Sequence, residues 1–413
     1  MEIIKIATAG SVDDGKSTLI GRLLYETDSL KTDQLEHIKS KSESRGFDYL
    51  DLSLATDGLL TEREQGITID VSHIFFSTPK RRFIIADSPG HVEYTRNMVT
   101  GASTAQATIL LLDARKGMVE QTRRHLYINQ ILGIQHLVFA INKMDLVDFD
   151  RHRFIEIKNE VNEWLKSASM KVQSIDFVPI SALQGDNLTT PSKKMPWYDS
   201  LTLLERLENI PTISSLQDDS LLQVQYVLRP KTARHHDYRG FSGKVNSGSF
   251  QVGDKIVVYP SGRSSQIKRL EKHGIEVRQA KEGENTTILL EDEVDISRGN
   301  SICNANNKLS ITKQVKAEVC WMQDAALVAG AKYWLQLGVQ RVQIKVRRVV
   351  NRLDLNQLIA EPTTSLGLND IGNIEFVTAQ EIVCKPFLEN KGLGAFILID
   401  AQTNNTSGVG FIQ

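Results

Sequence analysis

Eight residues, Gly10-Ser11-Val12-Asp13-Asp14-Gly15-Lys16-Ser17, narrow the fold of this chain before anything else is read. They fit G-x-x-x-x-G-K-S/T, a loop that wraps phosphate groups and works between a strand and a helix. Glycines let backbone N–H groups turn inward and approach an anion closely. The lysine of such a loop reaches the terminal phosphates and the hydroxyl serves Mg²⁺, roles that fall to Lys16 and Ser17. Ahead of the loop, the apolar run Ile3–Ala7 reads as a strand. After it, Ser17–Leu24, with Thr18 in its first turn, reads as a helix whose N-terminus faces the anion.

Three more motifs follow in order and select the base. Asp87-Ser88-Pro89-Gly90-His91 comes after the strand-like Arg82–Ala86. An acid there can hold a metal through water, and a glycine N–H can meet a γ-phosphate and swing when it leaves. Asn142-Lys143-Met144-Asp145 follows the apolar run His136–Ile141. The Asp145 carboxylate can accept two hydrogen bonds from guanine, whereas adenine would leave it unpaired. Asn142 suits the guanine acceptors, and the stem of Lys143 can lie over the ring. Ser181-Ala182-Leu183, after Phe177–Ile180, offers backbone N–H groups to the guanine oxygen. Any one of these pieces alone reads as a tight turn after a strand; four in order read as a GTP site with GTP and Mg²⁺ as its ligands.

The rest of the chain is read by texture. A length of 413 residues suggests about two to four domains. Up to about Ile210, apolar runs alternate with helical stretches such as Gln121–Leu132 and Arg153–Ser167, which is βαβ wiring. The Pro211 and Ser/Asp cluster beyond reads as a linker. Leu222–Leu228, Gly253–Tyr259 and Thr287–Leu290 are short strands punctuated by glycine turns, and a second strand-rich stretch runs from Ser310 through Lys316–Trp321, Ala331–Leu337, Gln340–Val350, Ile374–Cys384 and Ala395–Asp400. The expected fold is an α/β P-loop GTPase domain with a mostly parallel sheet over 1–210, a linker over 211–219, and two small antiparallel β-barrels over 220–308 and 309–413.

Composition excludes some classes. No apolar run approaches the roughly 20 residues that span a bilayer, and no secretory leader is visible, so no membrane role is expected. Cys303, Cys320 and Cys384 are scattered and lack metal-site spacing, which fits a reducing cytoplasm. A net charge of −1 gives no encouragement to a nucleic-acid partner.

The order of motifs, and Glu62-Arg-Glu-Gln-Gly-Ile-Thr-Ile69 in particular, resembles the translational GTPase superfamily, elongation factor Tu and its relatives. The wording of Gly10–Leu24, Asp57–Val71, Arg81–Ser103 and Gln121–His125 narrows the resemblance to the GTPase (large) subunit family, subunit 1, of bacterial sulfate adenylyltransferase. It continues through Trp197–Glu205, Tyr226–Asp254 and Gly394–Gly410, essentially the whole chain. Ser88 replaces the usual threonine and keeps a hydroxyl; Arg234-His-His236 is a basic insertion that reads as a solvated turn or as a mark of a partner or anionic ligand.

That resemblance implies a division of labour. A separate small catalytic subunit would join ATP and sulfate to give adenosine 5′-phosphosulfate and pyrophosphate, and this chain would couple GTP hydrolysis to that uphill step within a hetero-oligomer. It also implies roles: Lys16 and the backbone of Asp13–Ser17 on the phosphates, Ser17 and Thr68 as direct Mg²⁺ ligands, Asp87 through water, Gly90 as the second switch hinge, and His91 orienting the attacking water. Lys16, Thr68 and His91 are thus the catalytic candidates. Asp13 reads either as a phosphate neighbour with a monovalent cation or as a turn former. Gly367–Asn373 lacks the lysine of a phosphate loop and reads as a turn, and Lys31–Arg45 reads as a surface helix. The alternative within the superfamily is an elongation factor-like GTPase delivering aminoacyl-tRNA.

Overall fold

The computed structural model describes residues 2–44, 46, 49–55, 71–89, 98, 102, 104–170, 172–211, 220–230, 238–306, 309–355 and 357–413. It divides into two compact units, Met1–Thr212 with Asp354–Ile359 and Ile213–Leu353 with Ala360–Gln413.

The first unit is built on a sheet of six strands, β1 (Ile3–Ala9), β2 (Ser72–Ser77), β3 (Arg82–Asp87), β4 (Ala107–Asp113), β5 (His136–Asn142) and β6 (Ser174–Pro179). They lie in the order β2-β3-β1-β4-β5-β6. All neighbours are parallel except β2, an antiparallel edge strand on β3. β4 and β5 are buried along their whole length. A parallel strand covered on both faces needs such unbroken apolar sequence. Helices α1 (Lys16–Glu26), α2 (Thr32–Ser44), α3 (Glu120–Ile131), α4 (Arg151–Ser167) and α5 (Leu203–Asn209) lie between and after the strands.

Two of the helices start on side-chain caps, and α4 and α1 show how a helix face is buried. α4 buries Phe154, Ile157, Val161, Trp164 and Leu165, one face at a period near 3.6. Its cap is Asp150, which accepts from the N–H groups of His152 and Arg153. α5 starts on a capping box between Thr202 and Glu205. Leu19, Ile20 and Leu23 of α1 join Ile4, Ile85, Ile109 and Val138 of the sheet in one core cluster. Burying each such side chain is worth about 1.5–3 kcal/mol.

The second unit holds two closed antiparallel barrels. In the first, Lys255–Tyr259, Ser301–Asn304, Leu221–Gln223, Gly240–Ser247, Asn285–Leu290 and Arg263–Lys272 pair in that order, and the last pairs with the first. In the second, the ring is Lys332–Leu337, Ala395–Ile399, Thr406–Ile412, Ser310–Trp321, Ile371–Cys384 and Gln340–Asp354. Closure leaves no edge in either ring. The run expected as one strand over Leu222–Leu228 is two, Leu221–Gln223 and Tyr226–Leu228, because the Val224 and Gln225 N–H groups bond instead to Asn300 and Ser242. Gly367–Asp370 is a turn closed by Asp370, as its sequence suggests. The expected linker falls mostly on 212–219, outside the described residues.

Candidate nucleotide-binding site

Parallel wiring brings the motifs to one edge of the sheet. The Gly10–Ser17 loop leaves the end of β1, Asp87 ends β3, Asn142 ends β5, and Ser181 follows β6. In open α/β sheets ligands bind at this carboxyl edge.

The phosphate loop is a left-handed turn feeding a helix. Asp13 has φ 67° and Gly15 φ 95°, and the chain enters α1 at Lys16. Asp13 is therefore a turn former in this conformation; aspartate tolerates it better than most residues. Lys16 is buried, and its ammonium donates to the carbonyls of Gly10 and Ser11, both at 2.9 Å. Burial pulls its pKa down, opposed by Asp87, Asp14 and Asp13. The Asp14 carboxylate accepts from the Ser11 N–H at 2.6 Å. Burial raises its pKa, with Lys16 and that hydrogen bond acting the other way. Ser17 and Thr18 are half-buried on the first turn of α1. Asp87 is buried and accepts from the Thr8 hydroxyl at 3.0 Å. Ser88 and Pro89 are buried beside it, and the Ser88 Oγ has no hydrogen-bond partner among the described residues. Thr68, Gly90 and His91 lie outside the described residues.

On the base side, the buried Asn142 is a tie. Its Nδ2 donates to the Asp14 carbonyl at 2.8 Å, and its Oδ1 accepts from the Ala182 N–H at 2.9 Å. One side chain thus clamps the phosphate loop to the Ser181–Leu183 loop. This changes two details of the expected base contacts. The Ala182 N–H is taken by Asn142, which leaves the Leu183 N–H as the donor of that loop without an internal partner among the described residues. Asn142 itself keeps one N–H for a guanine acceptor. Lys143, in a left-handed conformation (φ 62°), donates to the Asp13 carbonyl. Met144 is fully buried, Asp145 half-buried, and Leu183 exposed.

Several residues around the site are not in the motifs. Arg22 of α1 donates to the Leu183 carbonyl at 2.5 Å, and Glu26 of α1 accepts from Thr189, so the helix that carries the phosphate loop also braces the base loop. Asp113 closes β4 and lies 3.1 Å from the Lys143 ammonium. Burial would raise the pKa of this carboxyl, but the hydrogen bonds of Arg115 and Lys143 outweigh it and hold it well below the usual range. His125 of α3 is buried, shares a 2.9 Å hydrogen bond with Gln121, and has its pKa pushed down to about 3 by burial and by the charges of Lys16 and Arg124. An acid ending an otherwise unbroken apolar strand is the signal that could have singled out Asp113; Arg22 and His125 lie in stretches that carry the family resemblance, but their residue types alone mark no role at the site.

A strand-loop-helix phosphate cradle, an acid at the end of β3 and an N-K-x-D loop tied to the cradle define a P-loop GTP-binding protein. The sequence profile of the elongation factor Tu GTP binding domain matches residues 1–223, and that of the GTP-eEF1A C-terminal domain-like family matches 314–413. Over 99% of its length the chain is 45% identical to the bifunctional enzyme CysN/CysC of Mycobacterium tuberculosis, of which it covers 67%. It is 44% identical to sulfate adenylyltransferase subunit 1 of Colwellia psychrerythraea, covering 100% of this chain and 88% of that protein. With subunit 1 of Bacteroides fragilis the identity is 42%, over 100% of this chain and 86% of that protein. The chain belongs to the sulfate adenylyltransferase subunit 1 family.

Proposed function

We propose that this chain is the GTP-hydrolysing subunit of a sulfate adenylyltransferase, and that its hydrolysis of GTP drives the joining of ATP and sulfate into adenosine 5′-phosphosulfate and pyrophosphate on a small catalytic partner. Whole-length kinship to subunit 1 proteins supports the sulfate half. The GTP half rests most on one observation: Asn142 of the base loop is hydrogen-bonded to both the phosphate loop and the Ser181–Leu183 loop, which holds the phosphate and base sides in one fixed arrangement, as a single nucleotide spanning them requires.

In this reading Lys16 exchanges the Gly10 and Ser11 carbonyls for β- and γ-phosphate oxygens. The backbone N–H groups of Asp13–Ser17 and the N-terminus of α1 face the same anion. Asp145 accepts from the guanine ring N–H and exocyclic amine, the stem of Lys143 covers the ring, and the Leu183 N–H meets the guanine oxygen. Hydrolysis is a matter of positioning and charge stabilisation. His91 orients the attacking water, and Gly90 and Thr68 respond to loss of the γ-phosphate. Mg²⁺ fits the donors present: the Ser17 hydroxyl and the buried Asp87 carboxylate beside Lys16 are hard oxygens. Ser17 and Thr68 would hold it directly and Asp87 through water; when bound it neutralises charge on the β- and γ-phosphates.

One further line fits the cytoplasm as the compartment. Cys303, Cys320 and Cys384 are all buried and none forms a disulfide, as in a reducing compartment. Among the described residues, no helix is long and apolar enough to cross a membrane.

The test is a competition titration of GTP against ATP, with turnover of each measured on the same preparation. Guanine selectivity of roughly 10⁴ or more is expected of a site built to hydrogen-bond its base. Equal binding of ATP and GTP would overturn the reading.

A further inference from the structure

We propose that Asp113 is a positioning residue for the base-covering lysine, and that it sets how long a guanine nucleotide stays bound. The proposal rests on the reading of Asn142–Asp145 as the base loop. The register of β4 against β5 pairs Asp113 with Asn142, one residue before Lys143. The side chain of Asp113 is fully buried, that of Lys143 is 23% exposed, and the two are 3.1 Å apart. The carboxylate needs no lysine to be satisfied. Arg115 donates to it from Nε at 3.0 Å, from Nη2 at 2.6 Å and from its backbone N–H at 2.9 Å. Arg115 is held in turn: Arg153 of α4 donates to the carbonyls of Ala114 and Arg115. Arg115 therefore fixes the anion, and the anion fixes Lys143.

The other anchor of Lys143 is the Asp13 carbonyl of the phosphate loop. An ammonium held at both points keeps its four-carbon stem in one arrangement before any base arrives. A free lysine side chain loses about 1.5–2 kcal/mol of rotamer entropy when it is ordered. With Asp113 in place that cost falls on folding; without it, the cost falls on the nucleotide. Each 1.4 kcal/mol is a factor of ten in affinity, so the expected loss is roughly 10- to 30-fold.

The experiment measures release of a fluorescent GDP, together with KM and kcat for GTP, on the full chain with Asp113→Asn, Lys143→Met and the double variant. Asp113→Asn is expected to speed release roughly 10- to 30-fold and raise KM, with kcat at saturating GTP close to wild type. In the Lys143→Met background it should add less than about twofold, because the group it positions is gone. An equal effect in both backgrounds would mean that Asp113 only supports the fold, and would overturn the proposal; so would unchanged release in the single variant. Should Asp113→Asn not fold, Lys143→Arg carries the test. It keeps a cation for Asp113 and should release GDP several-fold more slowly than Lys143→Met; equal loss in the two would also overturn it. Failure of the base reading looks different: wild type would then release fluorescent GDP and ADP alike.

Discussion

Replacing Gly15 with alanine strikes at the joint between phosphate loop and base loop. Gly15 sits at φ 95° and ψ 31°, a left-handed conformation. An added Cβ would also lie 2.5 Å from Asn142 Nδ2. Asn142 cannot turn away cheaply. It is buried, and the amide that would move bonds to the Asp14 carbonyl and the Ala182 N–H. Left-handed backbone costs an alanine about 1–2 kcal/mol. Leaving a buried partner unsatisfied costs about 1–3 kcal/mol more. The sum, about 2–5 kcal/mol, is divided between stability and GTP binding; if all of it fell on binding, affinity would drop between about 30-fold and a few thousand-fold. Calorimetric titration with GTP and a thermal melt on the same preparation read both shares. Gly262→Ala is the control: its φ is 69°, and nothing lies within 4 Å of the new Cβ. It should lose only the backbone share of stability and bind GTP normally. Gly15→Ala protein that binds GTP within threefold of wild type and melts at the same temperature would refute the reasoning.

Asp145→Asn should weaken GTP and favour xanthosine nucleotides, whose C2 oxygen matches the amide's donors; a competition titration that still prefers GTP would contradict the assignment. His91→Ala should leave GTP affinity nearly unchanged and slow single-turnover hydrolysis by roughly 10²–10⁴; wild-type hydrolysis with the partner present would make the residue structural. His125 gives the chain an acid limb. Its pKa is 6.5 when unfolded and about 3 in the fold. Between those values the unfolded state binds the proton and the native state does not, so stability rises with pH by up to ~1.4 kcal/mol per unit and is unaffected by this group above about 6.5. His125→Gln should flatten urea-unfolding stability between pH 6.5 and 4; an unchanged slope would assign the limb to other groups.

Much of this was legible in the sequence, for physical reasons that differ by region. Gly10–Ser17 needs glycine and lysine at fixed offsets, and the apolar runs that lead into it and into Asp87, Asn142 and Ser181 mark strands, so most of the parallel sheet and its loop-bearing edge could be read directly. β2 could not. It is an antiparallel edge strand, and Phe75 in it is 66% exposed, so neither alternation nor a continuous apolar run marks it. Around the base, sequence spacing identified the loops but not their mutual wiring. That Asn142 and Ala182 bond each other and that Asp113 reaches Lys143 follow from strand register, and that Arg22 braces Leu183 follows from where α1 lies beside the loop after β6; one sequence displays neither. In the barrels, the break at Val224-Gln225 is invisible because both residues are ordinary strand formers whose N–H groups find partners outside one ladder.

The account is tested most directly by co-purifying this chain with the small catalytic subunit proposed as its partner and following adenosine 5′-phosphosulfate, pyrophosphate and phosphate together. The chain alone should hydrolyse GTP, if slowly, and make no phosphosulfate from ATP and sulfate. With the small subunit, product should require ATP and sulfate and rise with GTP, and His91→Ala should abolish the GTP-driven part while the two chains still associate. Phosphosulfate formation by the single chain, or by the complex at a rate indifferent to GTP, would contradict it.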